Sequence, residues 1–326
     1  MTALRIRQSP YGRRAWTIDT DGALDLDAAA ANATTEEAFA MAGLRLQSFD
    51  LALWARQEVA PAGAFFSHTR RTADDAFVVG TANSTAAPVD PGAQAVSLGP
   101  IYGGLHRAAP SGPFAISSAG SGVSAAGNVA ANASALRALT AAVVAGAGNV
   151  LVASPRLALP AGFALDQGAV NVGGDGLIGI HNLTAAPADP ATPRWDWVIL
   201  QRFVSDSSGG ALDVLRPRVS GSGQFFIRRF RVSIEFSAGI AAEAVGEASA
   251  VVAPRTPILV SDETLSRISV ALANPTAALP AGFAVSHARI SAENTLTVGL
   301  ANVSGAGPTA PGTVEFDIYV FTPPSR

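Results

Sequence analysis

The sequence predicts an all-β protein built of three tandem, diverged β-sandwich modules with jelly-roll-like wrapping and only minor helix, on the strength of composition, an internal repeat and period-two hydrophobic runs. Of 326 residues, 48% are hydrophobic and 14% charged, while 32 glycines and 21 prolines punctuate the chain. That mixture suits short strands joined by many turns better than long helices. Val, Leu, Ile and Phe recur often enough among Ala, Gly and Ser for the chain to bury a core.

The repeat is anchored on Pro61-Ala62-Gly63, Pro160-Ala161-Gly162 and Pro280-Ala281-Gly282 and aligns without gaps over about three dozen residues. Ten residues before each proline an apolar run begins, at Leu51, Val150 and Val270. After it, fixed offsets recover Gly80, Gly179 and Gly299, then Asn83, Asn182 and Asn302, and two residues later Thr85, Thr184 and Ser304. A turn accounts for Pro-Ala-Gly, the glycine permitting positive φ. The Asn-x-Ser/Thr element has the pattern of a glycosylation acceptor, but its recurrence at one repeat position reads as the polar start of a loop.

Within each copy the pattern has period two. Leu296, Val298 and Leu300 alternate with Thr295, Thr297 and Gly299, and Val314, Phe316, Ile318 and Val320 alternate with Glu315, Asp317 and Tyr319. These are half-buried antiparallel strands. The modules are expected at residues 1–108, 109–204 and 205–326, the last including linker strands, with Ser/Gly-rich stretches at 116–123, 205–210 and 220–223 marking the joins. Thr35–Met41 and Ala133–Ala145 are the helix candidates.

Several function classes recede on composition. A net charge of −3 gives no global attraction to nucleic acid or to an acidic membrane. No run approaches the ~20 apolar residues of a membrane span. Cysteine is absent, which removes disulfides, thiolate metal sites and a cysteine nucleophile. All 22 basic side chains are arginine. The first residues, Met1 to Arg7, lack the apolar stretch of a secretory signal, so a destination outside the cell is expected by lysis.

Candidate site residues fall in three groups. Trp195 and Trp197 lie on one face of the run Arg194–Leu200, where they either anchor a sandwich core or offer a platform for sugar rings. Arg228, Arg229 and Arg231, with Arg216 and Arg218 upstream, form the densest charge; guanidinium forks bind carboxylates bidentately, and the alternative is a solvated strand face. Asp19, Asp21, Asp25 and Asp27 are a weak calcium candidate, lacking the glycine and terminal glutamate of an EF-hand, so no metal or cofactor is expected. His68 and His287 share a repeat position that holds Gln167 in the second copy, and read as polar surface or edge-strand residues. With His106 and His181 they make no convergent catalytic set. The Gly-x-Gly stretches at Gly120–Gly122 and Gly221–Gly223 read as loops.

The residues Leu279-Pro-Ala-Gly-Phe283, Ser291-Ala-Glu-Asn-Thr295, Val298, Asn302 and Val314–Phe321 resemble a small β-sandwich found at the ends of structural and fibre proteins of tailed phages. The third copy matches best, the second moderately and the first weakly. The alanine-rich, all-arginine composition resembles relatives of such phages, including gene transfer agents. That resemblance implies a non-enzymatic spike or fibre subunit on the surface of a phage-like particle, assembled in the cytoplasm. Its implied partners are further copies of itself (a trimer ahead of a pentamer), other particle proteins and a host surface polysaccharide. A secreted carbohydrate-binding or surface-layer protein is the alternative; a capsule hydrolase using Asp74, Asp75 or Asp213 ranks third.

Overall fold

The computed structural model describes residues 5–8, 16–19, 23–40, 51–56, 60–73, 76–101, 114–143, 150–172, 175–202, 226–254, 258–259 and 269–322, and every regular element among them is a strand. The first module opens with a small ladder of β1 (Arg5–Gln8) and β2 (Trp16–Asp19). Six strands follow: β3 (Ala23–Leu26), β4 (Thr34–Ala40), β5 (Leu51–Arg56), β6 (Ala64–Ala73), β7 (Ala76–Asn83) and β8 (Gly92–Ile101). The second module repeats them as β9 (Phe114–Val123), β10 (Ser134–Val143), β11 (Val150–Pro155), β12 (Phe163–Val172), β13 (Asp175–Asn182) and β14 (Arg194–Arg202). The third has β15 (Phe226–Phe236), β16 (Ala244–Val251), β17 (Val270–Pro275), β18 (Phe283–Ala292), β19 (Thr295–Asn302) and β20 (Gly312–Thr322).

One topology serves all three modules. The first, sixth and third strands form one antiparallel sheet, in the orders β3-β8-β5, β9-β14-β11 and β15-β20-β17, and the second, fifth and fourth form the other. In the second module the two sheets join through the Leu151–Ala169 pair into a six-stranded sheet. Six strands are two fewer than a full jelly roll uses. The alternating apolar residues meet between the sheets: Phe283 and Val285, Leu296, Val298 and Leu300, and Phe316, Ile318 and Val320 make one core in the third module.

Local chemistry explains the repeated residues. The amide of the residue after each glycine donates to the proline carbonyl, from Ala64 to Pro61 (3.0 Å), Phe163 to Pro160 (3.1 Å) and Phe283 to Pro280 (3.1 Å). Gly63, Gly162 and Gly282 carry φ of 91°, 81° and 77°, and each turn lies against the hydroxyl residue two after the repeated asparagine.

Both helix candidates are strands: Thr34–Ala40 pairs with β7 and Ser134–Val143 with β13. Alanine favours helix in isolation, but here each segment completes an open sheet edge, and that tertiary pairing overrides the propensity. The Gly120–Gly122 stretch is also strand, not loop. In register, Gly120 lies opposite Trp197 and Gly122 opposite Trp195, and a side chain at Gly120 would overlap the Trp197 indole.

The three modules close into a ring. Strands β6, β12 and β18 touch one another, and each also packs on the third strand of a neighbouring module: β12 on β5, β18 on β11 and β6 on β17. Cyclic contacts of one kind define an approximate threefold axis within a single chain. At that axis the outward faces of the three inner sheets meet in an apolar plug of Phe65, Ala164, Ala284, Ala82, Ala301, Leu183 and Val303. Phe65, Ala164 and Ala284 occupy one repeat position, as do Ala82, His181 and Ala301. Phe65 stacks on the His181 ring, with centroids 4.6 Å apart.

Phe65→Ala should therefore cost about 3–5 kcal/mol, the usual range for a fully buried phenylalanine, and lower the denaturation midpoint of the chain as one cooperative unit. Separate transitions, with only the first module destabilised, would show that the modules fold as independent beads.

Candidate functional site

The buried polar groups begin, inside each module, with the repeated asparagines. The Asn83 amide donates to the carbonyls of Ala29, Ala30 and Ala87 at 2.7–3.1 Å, while its oxygen accepts from the Thr85 amide and hydroxyl, both at 2.8 Å. Asn182 repeats this with Val129, Ala130, Ala186 and Thr184, and Asn302 with Ile240 and Ser304. All three side chains are fully buried. They tie two loops of each module together, the role read for them as turn chemistry, and as folded they offer no surface for a glycan.

A second network crosses between modules. On the axis-facing side of the inner sheets, Glu36, Gly80 and His68 stand in one row across β4, β7 and β6. The imidazole lies over Gly80, where any side chain would overlap it, and reaches Glu36 with Nε2 at 3.0 Å from Oε1. Arg70 holds the same carboxylate with both Nε and Nη2. On the other side of the ring, Ser67 Oγ lies 2.9 Å from His68 Nδ1 and accepts the amide of Val285, from the third module, at 2.7 Å.

The third module holds the same set. Ser286 Oγ is 3.0 Å from His287 Nδ1, Nε2 is 2.7 Å from Glu247, Arg289 grips that carboxylate at 2.6 and 3.0 Å, and His287 lies over Gly299. The second module departs from it: Asp166 stands opposite Gly179 and accepts the amide of Phe66, from the first module, at 2.9 Å. His68 and His287 lie on the edge strands β6 and β18 of their sheets, as one half of the expectation had it, but contrary to the other half they are not at the surface: they are 0% and 1% exposed. The Gly-to-His spacing was visible in the sequence, but the ring closure that buries it was not.

The protonation pattern follows from the geometry. Burial pushes the His68 imidazole below its usual 6.5, outweighing the pull of Glu36. A neutral ring with its proton on Nε2 donates to Glu36 and accepts from the Ser67 hydroxyl, which leaves the Ser67 oxygen to accept from Val285. Burial would raise Glu36, but the hydrogen bonds of Arg70 and His68 and the charge of Arg70 prevail and hold it at about 2. Glu247 is held at about 2 in the same way, by His287 and Arg289 against burial. A serine, a histidine and a carboxylate in line have the connectivity of a nucleophile, base and orienting acid. Here Ser67 and His68 are fully buried and the serine oxygen is occupied by a backbone amide, so the set clamps modules rather than meeting a substrate.

Two other seam contacts use side chains of the third strands. Ser154 Oγ accepts the amide of Ala271 at 2.8 Å, joining second and third modules. Asn274 accepts the amide of Thr69 at 3.4 Å, joining third and first. The turn of one module also meets the start of the second strand of another or the turn just before it, through Gly63 N to Asn132 O and Thr34 Oγ1 to Phe283 O (2.8 Å).

The sequence-selected ligand candidates divide. Trp195 and Trp197 are 0% and 3% exposed inside the core of the second module, beside Phe163, Leu165 and Ile180. They form no platform for a sugar; the register that puts glycines opposite them turns both indoles inward. Arg229 and Arg231 share the outer face of β15, as the alternation implies, and both grip Asp317 on the neighbouring strand, at 2.7 Å and 3.0 Å. Glu315 adds a longer contact to Arg231, at 3.9 Å. Arg228 lies on the opposite face, half-buried and in register with Val320. The arginine cluster is thus largely a cross-strand ion-pair ladder, which its own chain neutralises. Asp21, Asp74, Asp75, Asp213, Arg216, Arg218 and His106 lie outside the described residues, as do the stretches 205–210 and 220–223. Asp27 is exposed, and among the described residues no group of three or more His, Asp or Glu could hold a metal ion.

Acid should loosen this ring in two stages. His68, with a folded pKa below its unfolded value of 6.5, contributes stability that is present above 6.5 and erodes as pH falls from there; Glu36 and Glu247 contribute stability present above 4.5 that is lost as pH falls toward about 2. The urea midpoint is expected to decline gently below pH 6.5 and steeply from 4.5 to 2, the steep part flattening in the Glu36→Gln/Glu247→Gln double variant. An equally steep fall in that variant would remove the two carboxylates from the account.

No protein-family model, curated protein or solved structure matches this chain.

Proposed function

We infer that this protein is a non-enzymatic structural spike or fibre subunit on the surface of a phage-like particle, in which one chain supplies the threefold head that fibres otherwise assemble from three. The observation that carries this reading is the closed ring of three like β modules around an apolar axis. The resemblance of the third copy to fibre-end sandwiches implies trimers, and a ring of three tethered copies meets that requirement without three separate chains. Loop tips with identical sequences, Thr85-Ala-Ala-Pro88 and Thr184-Ala-Ala-Pro187, follow the repeated asparagines and are mostly exposed. Contacts made by shallow loops are individually weak, and presenting many copies on a particle multiplies them by about 10²–10⁴.

On this reading the partners are other particle proteins and a host surface polysaccharide, and further copies associate as whole rings. The buried state of the one serine–histidine–carboxylate arrangement in each of two modules argues for scaffold over catalysis. Electron microscopy of particles made with and without the chain tests the reading. Loss of a projecting density, together with saturable binding of the isolated protein to host envelope, is expected; particles unchanged by its removal would overturn the assignment.

A further inference from the structure

The chain runs on from the first module to the second and from the second to the third, so the seam between first and third is closed by non-covalent contacts alone. His68 sits in the middle of that seam. Its two sequence neighbours carry bonds to the third module: Ser67 Oγ accepts the amide of Val285 at 2.7 Å, and the Thr69 amide donates to Asn274 Oδ1 at 3.4 Å. Thr34 Oγ1, bonded to the Phe283 carbonyl, adds a further contact. The apolar plug beside them is mostly alanine, so only a modest apolar area supplements these bonds.

The imidazole is wired so that a second proton disturbs the seam. With a neutral ring, the Ser67 hydroxyl donates to Nδ1, 2.9 Å away, and its oxygen accepts from Val285. A proton on Nδ1 reverses the first of these bonds. The serine oxygen then faces two N–H donors, and its own hydrogen loses its acceptor at a fully buried position. Glu36 of β4 lies on Nε2, and Arg70, on the histidine's own strand, opposes a further positive charge. Of the strands packed on β6, β12 contributes Asp166, engaged with the Phe66 amide, and β18 contributes His287 and Arg289, both engaged with Glu247. Arg56 is the last residue of β5, while β7 and β17 hold no titratable residue. Glu36 and Arg70 belong to the first module and stay with His68 when the seam parts, so a hydrated imidazolium paired with Glu36 favours the open form.

The tethered seams lack this wiring. Where the first module has His68 the second has Gln167, which does not titrate, and the bond between second and third modules places a serine oxygen, Ser154 Oγ, on the Ala271 amide. His181 does reach from the second module to Ser84 of the first, at 2.9 Å. There the Ser84 hydroxyl has the Gly63 carbonyl 3.4 Å away to donate to when the ring takes a second proton.

We propose that the seam between the first and third modules is an acid-released latch, in which protonation of His68 parts the Ser67–Val285 contact and opens the ring at its untethered joint while the three sandwiches stay folded. The latch is a property of the ring itself and stands whether or not the chain sits on a particle.

Because burial holds His68 below its usual 6.5 in the closed ring, closure is favoured above that pH, and the open-to-closed ratio rises by up to about tenfold for each pH unit below it. Amide hydrogen exchange of the intact chain, read residue by residue by NMR from about pH 7.5 to about pH 5, tests this above the range in which the Glu36 and Glu247 contributions are lost. Protection is measured against the intrinsic exchange rate at each pH. At the Val285 and Thr69 amides it is expected to fall about tenfold per pH unit below 6.5, relative to the Phe66 and Ala271 amides, which report the other two seams. His68→Gln, which installs the residue of the second module, should remove the fall, and His287→Gln should leave it in place. Constant protection at Val285 and Thr69, an equal fall at all four amides, or a fall that persists in His68→Gln would each overturn the latch. If His68→Gln does not fold, the comparison of the four amides in the unaltered chain decides by itself.

Discussion

The structure depends on burying the inner sheet of each module on both faces. One face closes the module's own sandwich, and the other closes the ring. In β18 this makes neighbours of opposite destinations: Phe283 and Val285 enter the module core, Ala284 enters the axial plug, and Ser286 and His287 enter the polar network beside it. A sheet face that meets two like faces at an axis has little room, which is why Ala82, Ala164, Ala284 and Ala301 fill most of the plug and why one large ring, Phe65, stacked on His181, suffices to complete it.

That constraint explains the polar residues as well. A buried polar group is costly unless bonded, and around the axis the bonds run from side chains of one module to backbone amides of the next: Ser67 to Val285, Asp166 to Phe66, Ser154 to Ala271, Asn274 to Thr69. Ser67 and Asp166 occupy one repeat position and accept from equivalent amides, so two seams share that contact with a different side chain, whereas the equivalent Ser154 and Asn274 reach different amides; the ring is cyclic in shape and only partly so in chemistry. Such bonds add register specificity that an all-alanine interface would lack, since sliding one module along its neighbour would leave buried amides unpaired.

The fold class was readable because its two strongest signals are local: alternation within strands and fixed offsets between a turn glycine, a strand glycine and a loop asparagine. The function of those offsets was only half readable. Gly80 and Gly299 signal that something must cross them, yet the crossing side chains His68 and His287 look like surface residues in a linear reading, because the partner that buries them lies in another module. Trp195 and Trp197 were ambiguous for a related reason, since Gly120 and Gly122, which make room for them, sit more than seventy residues away and resemble a linker. The misread strands Thr34–Ala40 and Ser134–Val143 lie upstream of the ungapped repeat, where loops of unequal length hide their equivalence to Ala244–Val251. Periodicity reports which face is buried; it does not report that a second face is buried by a copy of the same sheet.

Tethering three copies in one chain changes what the assembly can become. A homotrimer repeats every substitution three times, so a charged or bulky residue that suits one seam must be tolerated at all three, including on the crowded axis. In a single chain the copies drift separately, as the Ser-His, Asp-Gln and Ser-His pairs at one repeat position show. The tether also replaces three-body association by an intramolecular closure whose entropy cost grows only slowly with linker length. The ring can then spend sequence on asymmetry. His181 takes a place that is alanine in the other two copies, where Ser84 and Ser134 bond its two nitrogens and Phe65 stacks on it, a constellation that threefold repetition could not pack. Conservation of shape at the axis and divergence of chemistry at the seams are thus two outcomes of the same covalent linkage.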